Sequence, residues 1–491
     1  MAVGTQRLPW GYTWRSSQSF IIATATISLF SECFLFGFIV PILPYMLETR
    51  LHLDPSRTQT FTTTLLALYG VISLLTAPFI AHFADKTPSR KIPLLLCLAA
   101  CSSGTILVAS ARAVWVLMAG QVLQSLASSA VWIVAFATLV DNVDGENKGK
   151  VTGTAMSIVG TGIFAGPMVS GILLELFGYW PAWSAALLLL SVDFFARLVM
   201  IDNRSAVPVS SDSNLDADVD ADSNEHESQE RTALLADQQS DTQTTAEGQK
   251  RDTNPESPRG FYSIMLRNPQ IVASICNSLI MSTILASFDT TLPLHVRAVF
   301  GWGSLPVGLL FLGLNLPAII LGPAIGWTRD HLGLHWPTTI GWALTTPLLW
   351  LMAVPGEELP WGKLEKGGQG VFIGAIVGLG FAFALTRGAG SFQMMSVVHD
   401  LESKNPAIFG PYGGNSRLSS LTEVPFTVGM VLGPLLSGGF SELIGYYYMS
   451  CILAVASLLV TVSSWMYLTA GPGSKGGEER RLVGEDGNIS S

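Results

Sequence analysis

The chain has 491 residues, of which 49% are apolar and 13% charged, with 48 glycines and a formal net charge of −9. That composition excludes an ordinary soluble domain and places the chain in a bilayer. No basic stripe marks a nucleic-acid surface, and no phosphate-cradling loop or paired nucleophile and base marks an enzyme or an ATP-driven pump.

Residues 1–19 read as a polar tail. Runs of roughly 20 apolar residues, the length needed to cross the hydrocarbon core, then predict spans at 20–46, 60–84, 92–111, 114–140, 149–176 and 180–201. At 203–258 polar residues take over, with 13 acids against four bases, so this stretch alone accounts for a charge of 4 − 13 = −9. It is too poor in apolar residues to fold and reads as a disordered linker. Six more spans follow at 268–294, 305–328, 336–354, 369–398, 416–443 and 446–468, then a tail at 471–491. The expected fold is all-α and polytopic, with a six-helix bundle at 20–202, the linker at 203–258 and a second six-helix bundle at 259–470. Lys86, Arg90, Lys91, Lys148, Lys150, Arg329 and Lys404 favour one set of loops, which puts the tails and the linker in the cytoplasm. The first run ends in Pro41-Ile42-Leu43-Pro44 without a small-residue cleavage pattern, so a removable signal peptide is not expected. Cys33, Cys97, Cys101, Cys276 and Cys451 lie inside spans without metal-ligand spacing and read as packing residues; no metal or cofactor is expected.

The halves repeat one another. Gly162, Gly166, Pro167, Ser170, Gly171, Glu175, Leu176, Gly178 and Tyr179 return 267 positions later as Gly429, Gly433, Pro434, Ser437, Gly438, Glu442, Leu443, Gly445 and Tyr446. Such duplication inside apolar runs is the plan of many secondary transporters, whose site lies between the halves. Gly162, Gly166 and Gly171 are expected on nearly one helix face, permitting close helix approach, while Pro167 removes a backbone donor and kinks the span.

The run from Ala81 through Asp85 to Arg90 and Lys91 resembles the loop signature G-x-L-x-D-R-x-G-R-R of the major facilitator superfamily, and Gly326 through Arg329 and Asp330 to Gly333 resembles its second copy. The Gly162–Gly171 pattern resembles that superfamily's antiporter signature. Glu32 through Pro44 and Asp289-Thr290-Thr291-Leu292-Pro293 resemble the vesicular amine transporters and their fungal relatives among the drug:proton antiporters. The resemblance implies gating roles for Asp85, Arg90, Asp141 and Asp330 at one membrane face. It departs in two places. Arg387 stands where an aspartate is expected, and Gln121-Val122-Leu123-Gln124-Ser125 replaces R-x-x-Q-G.

Charges inside spans are costly and rarely left unpaired. Asp193 has Arg197 one helical turn later, and the two are expected to neutralise each other. Glu32 stands in a first span otherwise uncharged from Phe20 to Tyr45, so it faces a cavity, a distant cation or a proton; a structural hydrogen bond is the alternative. The resemblance implies substrate or proton binding there. Glu423 and Asp289 are further coupling candidates, and Arg387 is a possible neutraliser of Glu32 or Glu423. Tyr69, Trp132, Phe136, Asn277 and Phe381 are candidate cavity walls, with plain packing the alternative. Glu230, Leu234 and Leu235 resemble an acidic dileucine sorting signal, which would direct the chain to a vacuolar or endosomal membrane; the plasma membrane is the alternative. The sequence therefore predicts a monomeric carrier of a small organic molecule in a lipid bilayer, and the resemblance implies that it exports a drug or secondary metabolite in exchange for protons. A uniporter, a proton symporter and a non-transporting receptor on a carrier fold are the alternatives.

Overall fold

The structure is a computed structural model that describes residues 11–86, 91–142, 148–201, 258–355, 368–404 and 415–468. In the bilayer core only a helix satisfies its own backbone polar groups segment by segment, and helices build the whole fold. The first half contains α1 (Gln18–Tyr45), α2 (Pro55–Lys86), α3 (Lys91–Ala109), α4 (Val114–Asp141), α5 (Lys148–Phe177) and α6 (Tyr179–Val199). The second contains α7 (Pro269–Phe300), α8 (Ser304–Leu332), α9 (His335–Ala353), α10, α11 (Asn415–Ile444) and α12 (Tyr446–Tyr467). Helix α10 is broken: it runs Gly368–Thr386 and resumes as Ala389–Lys404.

Eleven helices among the described residues are long and apolar enough to cross a membrane. The twelfth predicted span, α9, is in place but falls short by composition, because His335, four threonines and two prolines dilute its apolar residues. It packs instead on α10 and α12 inside the second bundle. Side-chain caps fix two helix starts. Ser17 accepts from the Phe20 N–H at α1, and Asn268 accepts from the Gln270 N–H at α7, where Pro269 occupies the first turn and gives up no needed donor. The C-terminal end of α1 carries Pro41 and Pro44 and passes into a π-helical turn at Met46–Arg50.

The repeated motif now has a geometry. A Cβ on Gly162 would lie 2.6 Å from the Phe30 carbonyl oxygen, and one on Gly166 would run into the Phe34 carbonyl, so α5 is pressed against α1. In the second half, Gly429 and Gly433 press α11 against the Leu279 and Thr283 carbonyls of α7 in the same way. Contrary to the expected single glycine face, the third glycine of each copy, nine residues after the first, is turned about 180° from it and faces the other half. Gly171 meets Ser304 and Gly308 of α8, and Gly438 meets Thr63 of α2. Each copy ends at a glycine in the left-handed region, Gly178 at φ 89° and Gly445 at φ 88°, which turns the chain straight into the next helix. The following tyrosines, Tyr179 and Tyr446, are both buried in the one large apolar core cluster.

Among the described residues, five polar contacts join the halves at the end where α1 passes towards α2. The Ser304 N–H donates to Glu175 (3.1 Å), Thr60 to Glu442 (2.6 Å), Gln59 to the Thr290 carbonyl (3.4 Å) and the Ser304 hydroxyl to the Pro41 carbonyl (3.5 Å). Arg297 forms an ion pair with Glu48 at 2.5 Å. The repeat thus places Glu175 and Glu442 in matching positions, each reaching the first turns of a helix in the opposite half. This end of the bundle is closed.

Candidate functional site

Glu32 sits on the face of α1 turned towards α2 and α4 and is 3% exposed. One carboxylate oxygen accepts from the Ser128 hydroxyl, and the other accepts weakly from the Cys101 thiol at 3.7 Å. Ser128 is also 2.9 Å from the Tyr69 hydroxyl. A serine hydroxyl carries one proton, so when Ser128 donates to Glu32 the Tyr69 hydroxyl must donate to Ser128. The three groups form a directed chain, Tyr69 to Ser128 to Glu32. A small cavity, near the size of one water, opens among Glu32, Tyr69, Gln121, Gln124 and Ser128, with Leu35, Phe36, Ile39 and Leu66 completing its wall. Gln124 donates to Thr105 at 3.2 Å, whereas the Gln121 carbonyl oxygen is buried with no donor. The cavity is rich in acceptors and holds no positive charge.

The second charged group lies at the break in α10. Arg387 donates to Asn315 of α8 at 3.3 Å, and its guanidinium covers the Phe164 ring of α5 at 4.5 Å. It therefore bridges the two halves without an ion pair to Glu32 or Glu423 among the described residues, contrary to the expected neutralisation. Glu423 is exposed and Asp289 is half-buried, and the carboxylate of neither has a hydrogen-bond partner among the described residues.

Asp193 and Arg197 are linked through Ser28 of α1, which stands between them. Ser28 donates to Asp193 at 2.6 Å and accepts from the Arg197 Nε and Nη2 at 3.3 Å each. All three are fully buried, and the network ties α6 to α1.

The family model described as Major Facilitator Superfamily matches residues 25–407. The chain belongs to the Major Facilitator Superfamily. An MFS-type transporter of Schizosaccharomyces pombe is 30% identical over 430 residues, covering 86% of this chain and 90% of that protein. The MFS-type transporter ppzB of Metarhizium rileyi is 26% identical, covering 95% of this chain and 98% of that protein. A class C tetracycline resistance protein of Escherichia coli is 28% identical over 174 residues, which is 35% of this chain and 42% of that protein. The solved structure of the nucleoside transporter NupG matches with a TM-score of 0.60 at 12% identity, over 91% of this chain and 98% of that chain, and shows the fold alone.

As a superfamily member the chain is an integral, multi-pass membrane transporter. Among the predicted wall residues, Tyr69 joins the Glu32 cavity. Trp132 and Phe136 pack instead against Leu29, Ala135 and Val159 in an apolar cluster. Asn277 is 2% exposed with its amide nitrogen unpartnered, and Phe381 is exposed while its neighbours Leu379 and Phe383 are buried. The side chains of Asp85, Arg90, Asp141 and Asp330 and the residues Glu230, Leu234 and Leu235 lie outside those described. Ser128 and Gln121 had a signal in the sequence: Gln121, Gln124, Ser125 and Ser128 recur at helical spacing inside an apolar span, a polar stripe on one face of α4. Ser28, Asn315 and Phe164 had none, being ordinary residues made significant by what stands opposite.

Proposed function

We propose that the protein is a proton-coupled exporter of a small, largely apolar organic molecule that works by alternating access. The observation that carries this reading is Glu32, a buried carboxylate whose donors, Ser128 and Cys101, bring no positive charge. A buried acid without a cation is held by taking up a proton, and the hydroxyl chain to Tyr69 supports that exchange. Glu423 and Asp289, whose carboxylates have no hydrogen-bond partner among the described residues, serve as further proton sites between the halves.

The closed end supports the conformational half of the reading. With the tails in the cytoplasm, as the basic loops favour, the five contacts shut the outer face and the described state faces inwards. Rocking the halves breaks those contacts and opens the cavity outwards. Export of a drug or secondary metabolite is favoured by the similarity to the tetracycline resistance proteins. Residues 203–258 serve in this reading as a cytoplasmic tether, and one chain is the working unit.

The test is exchange. The fluorescent lipophilic dye rhodamine 6G and unlabelled tetracycline are loaded into proteoliposomes, and release is followed under equal and unequal pH. Release faster than from protein-free vesicles supports a carrier. Saturable retention on the protein with no release would assign the chain to a non-transporting receptor.

A further inference from the structure

The break in α10 is built and held in place. Gly388 takes φ 74°, a left-handed conformation that ends the first segment, and Ala389 starts the next. The last carbonyls of a helix lack partners, and here Arg329 of α8 supplies them, donating to the Leu385 carbonyl at 2.9 Å and the Arg387 carbonyl at 2.8 Å. The negative end of the first segment is thereby neutralised. What remains at the break is the positive end of the second segment, 16 residues long, and the guanidinium of Arg387.

That guanidinium is under-used. It has one hydrogen bond, to Asn315, and its flat face rests on Phe164, so the remaining edge of a group with five donors has no acceptor among the described residues. Arg329 beside it also keeps a buried Nε–H with no acceptor. Discontinuous spans at the repeat interface line cargo sites, with half-helix N-termini turned to anionic groups. From these features we infer that the break in α10 is an anion subsite, and that the cargo carries a carboxylate or an equivalent planar anionic group taken by the free edge of Arg387. Phe164 fixes the plane of the guanidinium, Asn315 fixes its roll, and Arg329 acts as a positioning residue by holding the break. Because Phe164 belongs to one half and Asn315 to the other, an anion bound there senses the relative position of the halves. The inference rests on the reading that cargo passes between them.

The experiment uses the full chain in lipid nanodiscs and three isosteric probes, benzoate, benzamide and benzylamine, with binding read by displacement and thermal protection. Wild type is expected to favour benzoate over benzamide by about tenfold or more, the range of a charge-assisted hydrogen bond. Arg387→Gln should abolish that preference, Arg387→Lys should keep part of it, since the charge stays while the planar fork is lost, and Phe164→Leu should weaken it in a protein that retains the guanidinium. Equal binding of benzoate and benzamide by wild type, a preference for benzylamine, or a benzoate preference that survives Arg387→Gln overturns the inference. If the benzoate preference is absent while pH-driven dye release persists, the anion subsite fails and the exporter reading stands. With the benzoate preference intact, failure of pH-driven release of labelled benzoate itself overturns the exporter reading and leaves the subsite standing, since a carrier of anions need not move the cationic rhodamine 6G.

Discussion

Gly171 and Gly166 sit in one motif on one helix, yet the structure assigns them opposite consequences. A Cβ on Gly166 would strike the Phe34 carbonyl and approach the Phe38 N–H, both within the same half. A Cβ on Gly171 would strike the Ser304 carbonyl and lie 3.2 Å from the Gly308 Cα, both across the closed end. In each case the obstacle is backbone and cannot rotate away. Overpacking of this kind costs about 1–3 kcal/mol. At Gly166 that cost falls on the bundle itself, so Gly166→Ala lowers the thermal midpoint. At Gly171 the halves escape it by separating, so the same energy appears as a shift of about 5–150-fold in the ratio of closed to open outer face. Spin labels placed through noncanonical residues at Arg112 and Tyr448, both exposed on opposite halves near this end, read that ratio as a distance distribution. Gly171→Ala should move population to longer distance at an almost unchanged thermal midpoint, and Gly166→Ala should do the reverse. Identical behaviour of the two variants in both assays refutes the division of the motif. Gly438→Ala should open the same end, because its Cβ would lie 2.9 Å from the Thr63 Cβ of the opposite half, which no side-chain rotation moves.

The ion pair between Arg297 and Glu48 has Arg297 half exposed, so it contributes at most about 1 kcal/mol. Arg297→Gln should therefore lower the closed-to-open ratio no more than about fivefold in the same distance measurement, and high salt should reproduce part of the effect in wild type. Ser28→Ala removes the hydroxyl that serves both Asp193 and Arg197 in a fully buried site, a loss of about 1–3 kcal/mol. Thermal unfolding should report it, whereas the distance between Arg112 and Tyr448 should not change.

Much of the architecture was legible because apolar length and the duplicated motif are properties of the chain alone. The repeat correctly marks equivalent helices, and its glycines, its Gly-Tyr turns and the pair Glu175 and Glu442 recur in equivalent contacts. Span α9 shows the limit of composition, since its threonines and prolines are acceptable where neighbouring helices cover them. Partners were harder to read than positions. Glu32 stood out as a lone acid, but that Ser128 rather than Arg387 answers it depends on the rotation of α4 against α1. Arg387 stood out as a lone cation, but its placement over Phe164 follows from the break at Gly388 and the cap from Arg329, neither of which has a periodic signature. The Asp193 and Arg197 spacing pointed to a local pair, and the structure inserts Ser28 from a helix 165 residues away in the chain.

The most direct measurement is flux across proteoliposomes under an imposed pH gradient, comparing wild type with Glu32→Gln. Glutamine keeps the shape and an acceptor for Ser128 but cannot carry a proton. The account predicts that wild-type flux of rhodamine 6G or tetracycline follows the size and sign of the gradient, and that Glu32→Gln abolishes this dependence while the protein remains folded. Gradient-driven flux undiminished in Glu32→Gln would contradict it.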